Sequence, residues 1–140
     1  MTTSRLEAFS DGVIAILITI MVLELKPPHG ADLTALGEAV PSLATYALSF
    51  VFIGIYWNNH HHLLHTVHRV SAGILWANLH LLFWLSLIPF GTYWMGEHPH
   101  EIAPAAIYGV VLLLAATAYF ILQNVIIATQ GSGSLLKKAI

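Results

Sequence analysis

Apolar positions fall into four long runs, covering about residues 9–25, 39–57, 70–94 and 102–127, with short polar breaks between them. Each run is close to the ~20 residues that carry a helix across a bilayer core. With their flanks, the runs predict helices at about 5–25, 39–59, 70–95 and 102–127. The expected fold is therefore an all-α integral membrane protein with four transmembrane helices in one domain, residues 1–127. The first break, KPPHGADLT, stops a helix with Pro27, Pro28 and Gly30 and offers Asp32 or Thr34 to cap the next. The segment PFGTYWMGEHPHE, residues 89–101, is broken by Gly and Pro, and its Tyr93 and Trp94 suit an interfacial belt. Residues 128–140, ending in QGSGSLLKKAI, read as a cytoplasmic tail or the start of a further helical segment.

The first helix has two distinct stripes. At 100° per residue Ile16, Ile20 and Leu23 share one face, with Phe9 and Arg5 below them on nearly the same line. Beside it runs a stripe of small side chains, Ala8, Gly12, Ala15 and Thr19, of the kind that lets helices approach closely in lipid. Ser10 and Asp11 point the other way, toward whatever the helix packs against. Periodicity alone allows the Ile16 face simply to meet acyl chains. Glu7 fits an N-terminal helix charge favoured by the macrodipole. Asp11 lies deeper, where an ionised carboxylate approaches a cost of about 2.5–3.5 kcal/mol at mid-bilayer and is kept only with partners. Arg5 stands six residues away, beyond an i, i+4 contact, so a partner on another helix is expected.

Composition agrees with the pattern. The chain is 57% hydrophobic and 9% charged, against about 25% charged in soluble domains. It contains no cysteine, which excludes disulfides, thiolate metal sites and a cysteine nucleophile. A formal net charge of −2 gives no footprint for nucleic acid. The opening run is too long and too acidic at its start for a cleaved signal peptide. Arg5, Arg69, Lys137 and Lys138 fall on one side of the predicted topology and Lys26 on the other. The positive-inside rule then puts the N-terminus in the cytoplasm of a multi-pass protein of the cell membrane.

Arg5, Phe9, Ser10 and Asp11 spell the motif RxxxFSD at the foot of a spanning helix. With GVIAILITIMVLEL, WNNHHHLL and NLHLLFWLSLIPF, the chain resembles the transmembrane protein 175 family, the lysosomal and prokaryotic potassium channels, over nearly all its length. The resemblance implies a potassium-preferring cation channel of four identical subunits around a pore lined by the first helix. It implies a hydrophobic constriction at Ile16, further apolar rings at Ile20 and Leu23, and a pore hydroxyl at Thr19. It also implies a structural polar network of Arg5, Phe9, Ser10 and Asp11, with His60, His61 and Asn78 as partners. Potassium would be the permeant ion, no cofactor is implied, and the protein would not be an enzyme. Prokaryotic members have six spans per subunit, whereas this chain presents four. No TVGYG-like filter string occurs, so ion preference would rest on side chains and pore size.

The run HHHLLHTVH adds His60, His61, His62, His65 and His68 at a helix end. Three readings stay open for it: network or interfacial histidines, a proton sensor titrating near about pH 6.5, or a metal site using His61, His65 and His68 on one face. No carboxylate or thiolate lies within the run, and the nearest acids, Glu38 and Glu97, fall on the opposite side, so no metal is expected. His80 reads as a hydrogen-bonded core residue. Two alternatives to a channel remain: a non-conducting membrane scaffold, and a His-dependent intramembrane metalloprotein. The second lacks any HExxH-type arrangement.

Overall fold

The computed structural model describes residues 1–130; the tail expectation beyond that point lies outside the described residues. The helices are α1 (Thr3–Leu23), α2 (Val40–Leu64), α3 (Ala72–Ser86), α4 (Ile88–Glu97) and α5 (Ile102–Gln130), with a 3-10 segment at Leu33–Ala39 before α2. They make four passages long and apolar enough to cross a membrane: Thr3–Leu23, Leu33–Leu64, Ala72–Glu97 and Ile102–Gln130. Every described element is helical, as a lipid environment requires of an open-ended chain.

Local chemistry sets the ends. Thr2 caps α1 by accepting from the Arg5 N–H at 3.2 Å, and Ser71 caps α3 by accepting from the Ile74 N–H at 3.2 Å. Of the two candidate caps, Asp32 does the work: its Oδ1 accepts from the Ala35 N–H at 3.1 Å and from the Thr34 hydroxyl at 2.9 Å. It caps the 3-10 segment rather than α2. The second helix runs on to Leu64 instead of stopping at 59, so the first three histidines are helical.

The third passage is not the single helix expected over 70–95. It breaks at Leu87, and Pro89 is the cause. Proline has no N–H to offer the carbonyl four residues back, and its ring crowds that carbonyl. The chain restarts as α4, with the Gly91 N–H donating to the Leu87 carbonyl at 3.2 Å. The kink turns the second half of the passage toward α2 and α5, while α3 packs chiefly on α5. Gly96 lets α4 come close to α2: a Cβ there would stand 2.8 Å from Thr45 Oγ1 and 3.1 Å from Ser42 Cα.

Buried positions recur at helical spacing, such as Leu6, Ser10, Ile14, Leu17 and Met21 on α1 and Val111, Ala115, Ala118, Leu122 and Ile126 on α5. The small Ala115 and Ala118 suit close contact between helices where water supplies no driving force.

Candidate functional site

The foot of α1 is tied to its neighbours by directed bonds. Ser10 is fully buried and its hydroxyl donates to the Leu6 carbonyl at 2.8 Å. Asn78 of α3, also fully buried, donates from Nδ2 to Ser10 Oγ at 3.0 Å. Its Oδ1 accepts from His60 Nε2 at 2.6 Å, which fixes the proton of the neutral ring on that nitrogen. One proton-donating chain thus runs from α2 through α3 into α1. The opposite ring nitrogen, His60 Nδ1, is buried without a partner among the described residues.

Of the network implied by the resemblance, the structure brings together Ser10, His60 and Asn78. His61 turns elsewhere: its Nδ1 meets Glu7 Oε1 at 2.6 Å, and His65 Nε2 lies 3.7 Å from the same oxygen. Arg5 and Phe9 are exposed, and Arg5 makes no ion pair among the described residues. Asp11 makes no side-chain hydrogen bond there either, and its Oδ1 is buried without a partner. It lines a groove of about 390 Å³ with Ile14, Ala15, Ile18 and Trp57. Within the chain, then, neither Arg5 nor Asp11 joins the Ser10 bonds.

The opposite face of α1 is uncovered. Ile16 is 58% exposed and Leu23 81%, with Phe9 and Ile20 also exposed. The small stripe Ala8, Gly12, Ala15 and Thr19 is exposed beside them, and a Cβ on Gly12 would meet nothing within 4 Å. The Thr19 hydroxyl donates to the Ile16 carbonyl at 2.9 Å, so its oxygen lone pairs remain free on this face.

Other expectations change. His80 is exposed rather than in the core, its Nε2 accepting from the Trp84 indole one turn on at 2.9 Å. His68 does not share a helical face with His61 and His65, because α2 ends at Leu64. Sequence reasoning missed two groups. Position alone reads Glu7 as a helix-terminus charge, yet it is the acid that meets the histidines. A second buried cluster joins Ser49 of α2, Thr92 of α4 and Tyr108 of α5 by hydroxyl–hydroxyl hydrogen bonds. Isolated hydroxyls in apolar helices carry no sequence signal that would single these three out.

Comparison with known proteins bears on this geometry. Residues 5–89 match the family model described as endosomal/lysosomal potassium channel TMEM175. A Chryseobacterium sp. (strain P1-3) protein named as a potassium channel is 57% identical over 140 residues, 100% of this chain and 73% of that protein. One from Streptomyces collinus, also named as a potassium channel, is 38% identical, over 84% of this chain and 61% of its own length. The crystal structure of a lysosomal potassium-selective channel TMEM175 homolog from Chamaesiphon minutus superposes with a TM-score of 0.78 at 32% identity, covering 87% of this chain and 70% of that one. The chain thus spans between three fifths and three quarters of the length of these relatives.

Proposed function

The chain belongs to the endosomal/lysosomal potassium channel TMEM175 family, and from that premise we propose that it is a subunit of a potassium-preferring monovalent cation channel with its water path along the outward face of α1. The observation that carries this reading is the division of α1. One face is buried and bonded through Ser10 to Asn78, while Ile16, Ile20 and Leu23 stand exposed on the other. One such helix cannot enclose a passage, so several copies are required; four, as a homotetramer, is our reading.

Ile16 then forms the constriction. A ring of branched aliphatic side chains gates by dewetting, and its resistance to ions depends steeply on radius. Ile20 and Leu23 make further apolar rings. Thr19, with its proton committed to the Ile16 carbonyl, presents oxygen lone pairs to a dehydrating potassium ion. Turning α1 would carry Ile16 out of the narrow point and bring Ala15 and Thr19 toward it. The Asp11 carboxylate, which makes no hydrogen bond among the described residues, and the exposed Arg5 are complementary in charge, and we assign their pairing to neighbouring copies. The Arg5 and Arg69 ends of the helices lie together, since Thr3 Oγ1 donates to the Val67 carbonyl at 3.2 Å. By the positive-inside rule this end, with the N-terminus, faces the cytoplasm of the cell membrane.

The test is potassium flux from liposomes. Ile16→Asn hydrates the ring and raises flux; equal flux from native protein and variant would remove Ile16 from the constriction. A reconstituted chain that passes no potassium in either form would instead fit a membrane scaffold.

A further inference from the structure

Glu7, His61 and His65 form a cluster that the pore reading leaves unused. Glu7 stands in the second turn of α1, and the two histidines are one helical turn apart at the end of α2, at the i, i+4 spacing that puts side chains side by side. Their ligating atoms all lie within 4.8 Å of one another. Glu7 Oε1 is the hub, 2.6 Å from His61 Nδ1 and 3.7 Å from His65 Nε2. A tetrahedral zinc ion with ligands at about 2.0–2.1 Å holds them about 3.3 Å apart. Side-chain adjustment that opens the Glu7–His61 contact and closes the others, with loss of the His61 Nδ1 proton, converts the cluster into that geometry.

The donor set selects the ion. Two imidazoles and one carboxylate suit zinc and its first-row neighbours, with a fourth position left to water. Calcium and magnesium, which take oxygen ligands, are disfavoured. The Glu7, His61 and His65 side chains are 20%, 43% and 60% exposed, so an ion can reach them from solvent. The objection drawn from the sequence, that the histidine run lacks an acid, is met in space by a residue 54 positions from His61.

We propose that Glu7, His61 and His65 bind a divalent transition-metal ion, of which zinc is the type, and that the ion bridges the foot of α1 to the end of α2. Such a bridge resists rotation of α1. That consequence rests on the channel reading; the binding itself does not.

The experiment titrates the purified chain in detergent with Zn2+ by calorimetry and with Co2+ by its visible absorption, which reports tetrahedral nitrogen and oxygen ligation. One ion per chain is expected. His65→Ala, at an exposed position, and Glu7→Gln lower the affinity by about 100-fold or more, while His68→Ala leaves it unchanged. Absence of saturable binding, or full binding by His65→Ala, overturns the site. Zn2+ is then added to potassium-loaded liposomes on the side where this end of the protein is accessible. Slower flux in native protein but not in His65→Ala supports the bridge. Flux that ignores zinc in a protein that binds it overturns the coupling. A chain that binds the ion yet passes no potassium with or without zinc refutes the channel reading and upholds the site.

Discussion

The two buried polar clusters of this bundle are built to different ends. One, Ser10–Asn78–His60, ties α1 to α3 and α2; the other, Ser49–Thr92–Tyr108, ties α2, α4 and α5 and leaves α1 out. Among the described residues, the hydrogen bonds from α1 side chains to the rest of the bundle, through Thr3, Glu7 and Ser10, come from its first three turns. Beyond Ser10 the helix meets its neighbours by apolar packing alone among the described residues, through Ile14, Leu17 and Met21. In lipid such contacts are weakly directional. The difference leaves a frame of α2, α4 and α5 joined by hydroxyl bonds, with α1 bonded to its neighbours at its foot and held by apolar contacts above it. In the channel proposed above, movement of the upper part of α1 about that held foot would carry Ile16 away from the axis.

Breaking the lower cluster gives the largest expected effect. Asn78→Leu keeps the branched shape but strands the His60 N–H and removes the donor to Ser10 Oγ in a fully buried site. The expected loss is about 2 kcal/mol or more, read from unfolding in detergent, together with altered potassium flux because α1 loses its fixed rotation. Normal stability with normal flux would mean that the pin holds nothing.

Gly96→Ala tests the frame. Its Cβ would sit 2.8 Å from Thr45 Oγ1 and 3.1 Å from Ser42 Cα, so α4 must back away from α2. About 1–2 kcal/mol of destabilisation is expected. Tyr108→Phe sharpens the contrast at lower cost. Ser49 and Thr92 keep each other, and Thr92 still donates to the Ile88 carbonyl at 2.6 Å, so the loss is about 1 kcal/mol. In both variants flux per folded protein should be unchanged. If Tyr108→Phe alters flux as Asn78→Leu does, the division between pin and frame fails.

The same contrast governs how much could be read in the sequence. The four passages were legible because apolar run length maps directly onto bilayer thickness. Ser10, His60 and Asn78 were named because they fall in motifs with a family resemblance, and they meet in space. The upper cluster was illegible: a serine, a threonine and a tyrosine on separate apolar helices look like many others until packing brings them together. Glu7 and His61 were hidden by sequence distance, the acid seeming spare on one helix and the histidine acid-free on another. The break at Leu87 did have a local signal in Pro89, but a passage length adequate for one straight helix masked it. Asp11 marks the limit of the single chain. Its charge announces a partner, and the described residues do not supply one.

The smallest effect is expected at the far end of α1, where the tie to the frame is weakest. Lys26, just past the helix, places its ammonium 5.5 Å from the centre of the Tyr93 ring on α4, fully in solvent. The Tyr93 side chain, with help from the carboxylates of Glu97 and Glu24, raises the Lys26 pKa above its ordinary 10.5. A raised pKa means the folded chain prefers the protonated amine, so the contribution is complete at all pH values below 10.5 and is lost only as pH climbs past it. Lys26→Gln should therefore leave the melting temperature at neutral pH within experimental scatter. It should also leave flux unchanged, since an exposed pair exerts little hold on a helix. A loss of stability comparable with that of Asn78→Leu would show that α1 is anchored at both ends, and a helix held so could not turn about its foot.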